Sequence, residues 1–362
     1  MSARGIIRMA GAYLGARFRG GCRPLAAYYN VTFQCNLKCS FCSNWRVRVP
    51  ELDRRGALRA VEAICEYGVP ALGFSGGEPL LRRDIYSLAS LARDYGLTTS
   101  INTNGILVDW WTARRLTKTF DYIIVSIDGF SATHDSMRGV AGAQARAVEA
   151  IKLLSEAGAD VGVNTVVHPA NVHEIPRLWL NLSSYVRYYS VQPVNPPPSG
   201  LDAERVHRLI GVLMRLWRER LLVLGVPELY LMGIPLYVAG VAPKICDAGK
   251  LYFAVQPDGE IIPCSPSPDL VPASLGNVCC TPLSEALNPE ANIQAWRGIE
   301  ACGGCWLTCT TAISMYYRRP LEAAKRYVEL SFATRTPRKT RGGRGATPGE
   351  AEILGLRGAL KF

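Results

Sequence analysis

Short runs rich in Tyr, Val, Ile, Phe and Thr alternate along the chain with stretches of helical period. The runs at residues 27–33, 71–75, 98–102, 122–127, 161–167 and 188–194 have strand length and predict six strands. The stretches between them are amphipathic. Residues 58–67 put Leu58, Val61, Ile64 and Cys65 on one helical face, and residues 143–157 do the same with Val148, Ile151 and Leu154. Strand followed by helix, six times over, predicts an α/β fold with a parallel sheet or barrel, because each crossover helix must cover the sheet. The alternation stops at Asn195-Pro196-Pro197-Pro198-Ser199-Gly200, a strong breaker, after which residues 202–224 read as a helix. A hairpin is expected over 252–263 around Pro257-Asp258-Gly259, and a helical run over 313–332. The chain divides on this reading into a leader (1–24), a barrel (25–200), a helical connector (201–245), a Cys-rich region with its closing helix (246–332) and a basic, Gly-rich mobile tail (333–362). No internal repeat is visible.

Composition narrows the class. The chain has 362 residues, of which 48% are hydrophobic and 20% charged, enough for a large core, and this excludes a disordered, collagenous or coiled-coil protein. No apolar run reaches the ~18 residues of a spanning helix. The net charge of +11 sits at the ends: residues 1–24 hold five arginines and no acid, and residues 335–362 hold seven bases against two acids. The body between them is nearly neutral, which argues against a nucleic-acid groove and for basic appendages that could meet an anionic surface. Arg8 and Arg17 interrupt the apolar leader and no cleavage site follows it, so a reducing cytoplasm is expected. In that compartment twelve clustered cysteines point to metal or redox chemistry rather than to structural disulfides.

Cys35-Asn-Leu-Lys-Cys39-Ser-Phe-Cys42 lies at the end of the first strand. Three thiolates within eight residues can hold three irons of a [4Fe–4S] cluster and leave the fourth open to a substrate or cofactor. A Cys₃His zinc site is the rival, but His134, His168, His173 and His207 all lie far from this loop in sequence.

This Cys-x₃-Cys-x₂-Cys pattern, with Phe41 before the last Cys, resembles the radical S-adenosylmethionine (radical SAM) superfamily. Three further strand ends resemble the family in order: Ser75-Gly76-Gly77-Glu78-Pro79, Asn102-Thr103-Asn104-Gly105 and Val125-Ser126-Ile127-Asp128-Gly129. The resemblance covers about residues 25–310 and implies a partial (β/α)6 TIM-like barrel with its active site at the carboxyl ends of the strands. It makes Glu78 the partner of the cofactor's methionyl amine, and Ser126 and Asp128 candidates near its ribose or the substrate. On their chemistry alone, Gly76 and Gly77 let a ligand approach the backbone, and Glu78 can pair with an ammonium group. Alternation along the strand lets Ser126 and Asp128 project into the barrel mouth, or simply cap the next turn. Asn104 and Asn164 are weaker candidates. Phe41 packs by the cluster and adenine, or in the core.

A second constellation follows: Cys246-x₁₂-Gly259-x₄-Cys264, then Gly276-Asn277-Val278, then Cys302-Gly-Gly-Cys305-Trp-Leu-Thr-Cys309. It resembles the SPASM/twitch extension of radical SAM enzymes, a small Cys-rich C-terminal domain that holds auxiliary iron–sulfur clusters. A full module needs seven cysteines for two clusters, and five are present, which implies a single auxiliary [4Fe–4S] cluster. Cys246, Cys264, Cys302 and Cys305 form the expected ligand set, with Cys309 the rival fourth ligand; four Cys in two pairs also suit zinc. Cys279 and Cys280 depart from the family pattern and are expected to be thiols without a metal role, as are Cys22 and Cys65.

The resemblance implies S-adenosylmethionine as cofactor, a one-electron donor such as ferredoxin or flavodoxin, and cleavage of the sulfonium to a 5′-deoxyadenosyl radical that takes hydrogen from an unactivated carbon. The cofactors carry that chemistry, and the protein must position the substrate. Drawn as a helix, the leader puts Arg4, Arg8, Arg19 and Arg23 on one side with Arg17 off it. This suits either an interfacial helix on anionic lipid or a helix packed on the barrel. The first gives the leading expectation of a membrane or isoprenoid lipid substrate, with the cytoplasmic protein peripheral at the membrane surface. The alternatives are maturation of a peptide or tetrapyrrole by the same chemistry, and a non-enzymatic iron–sulfur or zinc scaffold. A carrier would have no need of Gly76-Gly77-Glu78, and nucleic acid is not expected as a partner.

Overall fold

The computed structural model describes residues 3–18, 23–264 and 274–325. Helix α1 (Ala3–Phe18) precedes β1 (Ala26–Thr32), and the chain then alternates through α2 (Arg54–Tyr67), β2 (Ala71–Gly76), α3 (Ile85–Asp94), β3 (Thr98–Thr103), α4 (Trp110–Thr119) and β4 (Tyr122–Ser126). Next come α5 (Ser131–Arg138), α6 (Ala143–Glu156), β5 (Val161–Val167), α7 (Ile175–Leu182) and β6 (Tyr188–Pro193). Side-chain caps start the helices: Gly56 N–H donates to Asp53 Oδ1 at the head of α2, and Thr112 N–H to Asp109 Oδ1 at the head of α4, both at 2.7 Å. All six strands expected from the pattern form, and they lie parallel in chain order from β1 to β6. This is the partial barrel of an α/β protein.

Residues of opposite parity on these strands serve opposite purposes. Leu72, Phe74, Ile101, Ile123, Val125, Val161, Val163, Tyr189 and Val191 are fully buried under the helices. Ser75, Ser100, Asn102, Ser126, Asn164, Ser190 and Gln192 face a central cavity instead. An apolar outer face and a polar inner one follow from the period of two.

Helix α8 (Ala203–Arg218) starts where Asp202 accepts N–H bonds from Glu204 (2.7 Å) and Arg205 (3.0 Å). It stops six residues before the expected end. Arg220 takes a left-handed φ of 59°, and the chain runs on extended beside β6, where Tyr189 N–H donates to Val223 O at 2.8 Å. Apolar Leu222 and Leu224, two apart as on a strand, are buried in this extended course. Helix α9 (Glu228–Val238) packs on α8.

The hairpin at Asp258-Gly259 forms, from β7 (Tyr252–Val255) and β8 (Ile261–Ile262), but it is not a free-standing module. Strand β7 pairs in parallel with the open edge of β1, giving an eight-stranded sheet in the order β6-β5-β4-β3-β2-β1-β7-β8. The Cys-rich region therefore grows out of the barrel sheet. After α10 (Leu283–Ala286) and α11 (Ile293–Ala301), a π-helical turn over Thr308–Ala312 leads into α12 (Ile313–Arg318). The expected run over 313–332 breaks at Arg319, because Pro320 has no N–H to continue the ladder. Its part from 326 onward, the tail 333–362, Arg19 and Cys22 lie outside the described residues, as does the side chain of Arg4.

Helix α1 is docked on the Cys-rich region. Tyr13 Oη donates to Tyr317 O (2.8 Å), Tyr317 Oη donates to Ala16 O (2.9 Å), and the two rings lie 5.6 Å apart. Ala12 and Ala16 join Leu251, Tyr252 and Ile299 in a small core, and Arg8 donates to Tyr95 O. Ala12, Tyr13 and Ala16 are thus covered by protein, whereas Leu14 (53%) and Phe18 (79%) stay exposed. Among the described residues no helix is long and apolar enough to cross a membrane.

Candidate active site

The thiol loop leaves the carboxyl end of β1 and is held by backbone. Lys38 N–H donates to Arg138 O (3.1 Å) and Ser40 N–H to Met137 O (3.0 Å), which ties the loop to the end of α5. Gly139 follows at φ 72°, where a Cβ would lie 2.7 Å from Lys38 O. Cys35, Cys39 and Cys42 all line the central cavity of about 460 Å³, with Phe41 between them in sequence. Burial pushes the Cys35 thiol up to about 11, and burial raises Cys39 while nearby Arg138 lowers it.

Gly76 and Gly77 line the same cavity, but what forbids a side chain there is the protein itself. A Cβ on Gly76 would collide with Thr32 O and one on Gly77 with Gln34 O, because Gly77 N–H and Glu78 N–H bond those carbonyls at 2.7 and 2.8 Å. The two glycines press the end of β2 against the base of the thiol loop.

Two carboxylates sit differently from their expected roles. Glu78 is buried beneath the cavity wall and accepts from Thr103 Oγ1 (2.8 Å), Asn104 N–H (2.8 Å) and Leu80 N–H (3.1 Å). Its two oxygens splice the ends of β2 and β3, and burial raises its pKa to about 7 against the lowering effect of those bonds. Its Oε2 accepts one bond among the described residues, from Asn104 N–H, and a carboxylate oxygen can accept a second. Asp128, expected at the barrel mouth, is fully buried: Oδ2 accepts from Arg138 Nε (2.6 Å) and Oδ1 from Val166 N–H (2.9 Å). It faces away from the cavity and orients Arg138. His134 Nδ1 accepts Asp128 N–H (3.0 Å), and burial lowers that imidazole to about 4.

Arg138 is the functional residue that the pattern reading missed. It lines the cavity, stands 5.2 Å over Phe41 and approaches Cys39 Sγ at 3.8 Å, and nothing about an arginine at the end of a short helix announces this. Phe41 thus packs both against this guanidinium and on the thiol cluster's apolar base. Asn104 donates to Asn36 Oδ1 (2.7 Å), bracing the thiol loop, and also lines the cavity. Ser126 and Asn164 are register partners on β4 and β5. The Asn164 Oδ1 atom is buried without a hydrogen-bond partner among the described residues, an acceptor facing whatever fills the cavity.

The auxiliary thiols gather from three segments. Cys246 precedes β7, Cys264 follows β8, and Cys302, Cys305 and Cys309 come from the stretch before α12. Each of the other four acts electrostatically on Cys264, whose thiol is raised by burial first and then by these neighbours. Cys309 is pushed up to about 12, by burial and then by Cys305. Cys302 is the most open of the five, whereas Cys309 lines the central cavity. Its segment is pinned there: Thr308 N–H and Oγ1 donate to Gln192 Oε1 (3.3 and 3.0 Å), and Tyr28 Oη donates to Cys309 O (3.3 Å). Cys279 and Cys280 are exposed, and Cys65 is buried on its helix.

The donor chemistry fits iron–sulfur groups. Both sets offer thiols alone, buried enough to disfavour free thiolates and mutually repulsive if ionised, a combination that a cationic metal core relieves. Among the described residues no three His, Cys, Asp or Glu side chains converge closely enough to hold a single metal ion.

Comparison with known proteins agrees with this geometry. The model of the radical SAM superfamily matches residues 29–178, and that of the SPASM iron–sulfur cluster-binding domain matches residues 246–310. The PqqA peptide cyclase of Gluconobacter oxydans is 30% identical over 305 residues, 78% of this chain and 82% of that protein. The chain belongs to the radical SAM superfamily. Pre-heme d1 synthase of Dinoroseobacter shibae is 38% identical over 164 residues, and there the match spans only 44% of this chain and 40% of that one. Streptococcus suis SuiB bound to S-adenosylmethionine shares the fold, with a TM-score of 0.61 at 18% identity over 82% of this chain and 74% of its own. The chain therefore joins a radical SAM domain to a SPASM iron–sulfur cluster-binding domain.

Proposed function

We propose that this radical SAM enzyme modifies a peptide or peptide-like amide substrate, bound in the cavity between the two thiol sets. The observation that carries this reading is the character of the inner barrel wall. Ser75, Ser100, Asn102, Asn164, Ser190 and Gln192 offer neutral donors and acceptors, and Asn164 has a buried acceptor unmet. Such a wall complements amides. An isoprenoid or acyl chain would desolvate it without return, at a cost of about 1–3 kcal/mol for each polar group left unpaired. The lipid reading also loses part of its second support, since one face of α1 is engaged with the Cys-rich region. The long match to a peptide cyclase points the same way.

Cys35, Cys39 and Cys42 would hold a [4Fe–4S] cluster, which would supply the electron for reductive cleavage of S-adenosylmethionine. The chain's own residues have other tasks. Arg138, kept in place by Asp128, presents a cation to the cofactor's carboxylate, and Gly76 and Gly77 hold the wall close. Ser126 and Asn164 orient ribose or substrate, and Cys309 faces the substrate from the opposite side. Cys246, Cys264, Cys302 and Cys305 hold the auxiliary cluster.

A tetrapyrrole substrate is the second reading, favoured by the higher local identity to pre-heme d1 synthase. The test is anaerobic: reconstitute with iron and sulfide, add S-adenosylmethionine and dithionite, and quantify 5′-deoxyadenosine with pools of synthetic peptides or with an iron porphyrin bearing propionates. Peptide-dependent turnover with loss of two hydrogens from one pool member is expected. Stimulation by the porphyrin and by no peptide pool overturns the peptide reading.

A further inference from the structure

A second cavity, of about 490 Å³, opens between the heads of α2 and α3 and the flank of α4, and it shares no lining residue with the active cavity. Its volume is that of a small-molecule site. Four arginines line it: Arg54 in the first turn of α2, Arg82 and Arg83 just before α3, and Arg115 on α4. Glu51 and Asp84 are the acids of the same wall, which therefore carries an excess of two positive charges.

Arg82 is spent on the fold. Its Nε and Nη2 donate to the two Asp84 oxygens (2.8 and 3.1 Å), and the same guanidinium donates to Val31 O (3.0 Å) and Leu52 O (2.9 Å). This largely buried pair joins β1, the segment before α2 and the head of α3. Arg54, Arg83 and Arg115, in contrast, are exposed and form no ion pair among the described residues. Arg115 stands 3.8 Å over the centre of the Tyr86 ring, which orients it. Glu51 accepts from the neutral donors Thr32 Oγ1 and Gln34 Nε2.

Two further features call for an acceptor at this wall. Asp84, at the start of α3, bonds Arg82 and makes no cap bond to the N–H groups that open the helix, so the positive end of α3 lacks its own carboxylate. On β1, Tyr29 Oη is buried without a hydrogen-bond partner among the described residues. The groups that act on it electrostatically are Arg82, Asp84, Cys279 and Glu51, three of which line this cavity.

We propose that this cavity binds a phosphate dianion, free or as the terminal group of a small monoester, on Arg54, Arg83 and Arg115. A guanidinium fork takes two oxygens of such a group at once. The excess of two charges selects a dianion over a carboxylate, which would leave one cation unmatched. The Ser87 hydroxyl and the opening N–H groups of α3 are further donors at the same wall.

The test uses the full chain with its clusters reconstituted and S-adenosylmethionine added to fill the active cavity. Equilibrium dialysis follows labelled inorganic phosphate at low salt, with glycerol 3-phosphate or acetate as competitor. One phosphate per chain is expected, with acetate weaker by about ten-fold or more. Arg83→Ala and Arg115→Ala remove exposed side chains, and each should weaken phosphate about ten-fold, the value of one charged hydrogen bond. S-adenosylmethionine cleavage with dithionite should be unchanged in both. A monoester that competes better than phosphate assigns the site to a phosphorylated small molecule, and equal competition assigns it to the free ion; either supports the proposal. No retained phosphate, acetate competing as well as phosphate, or equal binding by wild type and both variants overturns it. Cleavage lost together with phosphate binding would place the anion in the active cavity and overturn it as well. The acetate comparison is made on wild type alone and stands even where a substitution harms the fold.

Discussion

The two thiol sets solve one problem in opposite ways. The first is local: three cysteines in eight residues, on a loop whose backbone is bonded to the end of α5 and pressed by two glycines of β2. The second is assembled from three segments spread over residues 246–309, joined only because β7 adds to β1 and the π-turn before α12 is pinned to Gln192. A local site can lose its metal and keep its fold. An assembled one uses its ligands as part of the fold, because metal binding there closes long loops.

Single substitutions should expose this difference at full scale. Cys39→Ala and Cys264→Ala are each expected to reduce iron from about eight to about four per chain. Only Cys39→Ala should also bring S-adenosylmethionine cleavage to background, with the melting temperature nearly unchanged. Cys264→Ala should lower it by several degrees. Iron analysis with calorimetry checks both, and equal melting of the two variants would break the contrast. Cys309→Ala sharpens it: iron should stay near eight if Cys309 is the substrate-facing thiol rather than a ligand.

Glycines offer the next comparison. A methyl group on Gly77 meets the carbonyl of Gln34, backbone that cannot swing aside, so Gly77→Ala should cost about 3–4 kcal/mol and loosen the first loop. On the auxiliary side, Gly233 of α9 faces Trp306, whose ring is stacked 6.0 Å from both Tyr230 and Tyr237. Gly233→Ala gains helix propensity while displacing a side chain, for a net cost of about 1–2 kcal/mol. Urea melts of both variants measure the difference, and a larger loss for Gly233→Ala would mean that the auxiliary side is the more rigid of the two.

The same contrast governs what could be read from residues alone. Six strands, the first thiol loop and the inward polar face follow from local pattern: periods of two and of 3.6, and a motif within eight residues. The end of α8 was missed because no Gly or Pro stands between Arg218 and Leu224, whereas Arg220 turns the chain and Leu222 and Leu224, two apart as on a strand, are buried beyond it. The hairpin was legible at Asp258-Gly259, but nothing local says that its strand joins β1. Glu78 and Asp128 lie at strand ends where a carboxylate can point to ligand or protein. Only the positions of Thr103, Asn104 and Arg138 decide between them. Arg138 itself was invisible for the same reason.

The smallest predicted effect is a pH dependence confined to the first region. Glu78 is raised to about 7, so it holds a proton in the folded chain where the unfolded chain has released it. Its contribution to stability is therefore complete below about 4.5 and falls as pH rises through about 7, never more steeply than about 1.4 kcal/mol per pH unit. His134, lowered to about 4, works in the opposite direction: its contribution is lost as pH falls from about 6.5 through about 4. In the metal-free wild type the two slopes oppose each other between about 4.5 and 6.5, where denaturant melts should show stability changing little. Glu78→Gln removes one of them. Its stability should rise with pH across that window as His134 of the unfolded chain loses its proton, while the decline that wild type shows toward pH 7 disappears. A variant whose profile stays parallel to wild type would mean that Glu78 is ionised in the folded chain. The splice between β2 and β3 would then be a charged one, with its carboxylate available to a cationic ligand after all.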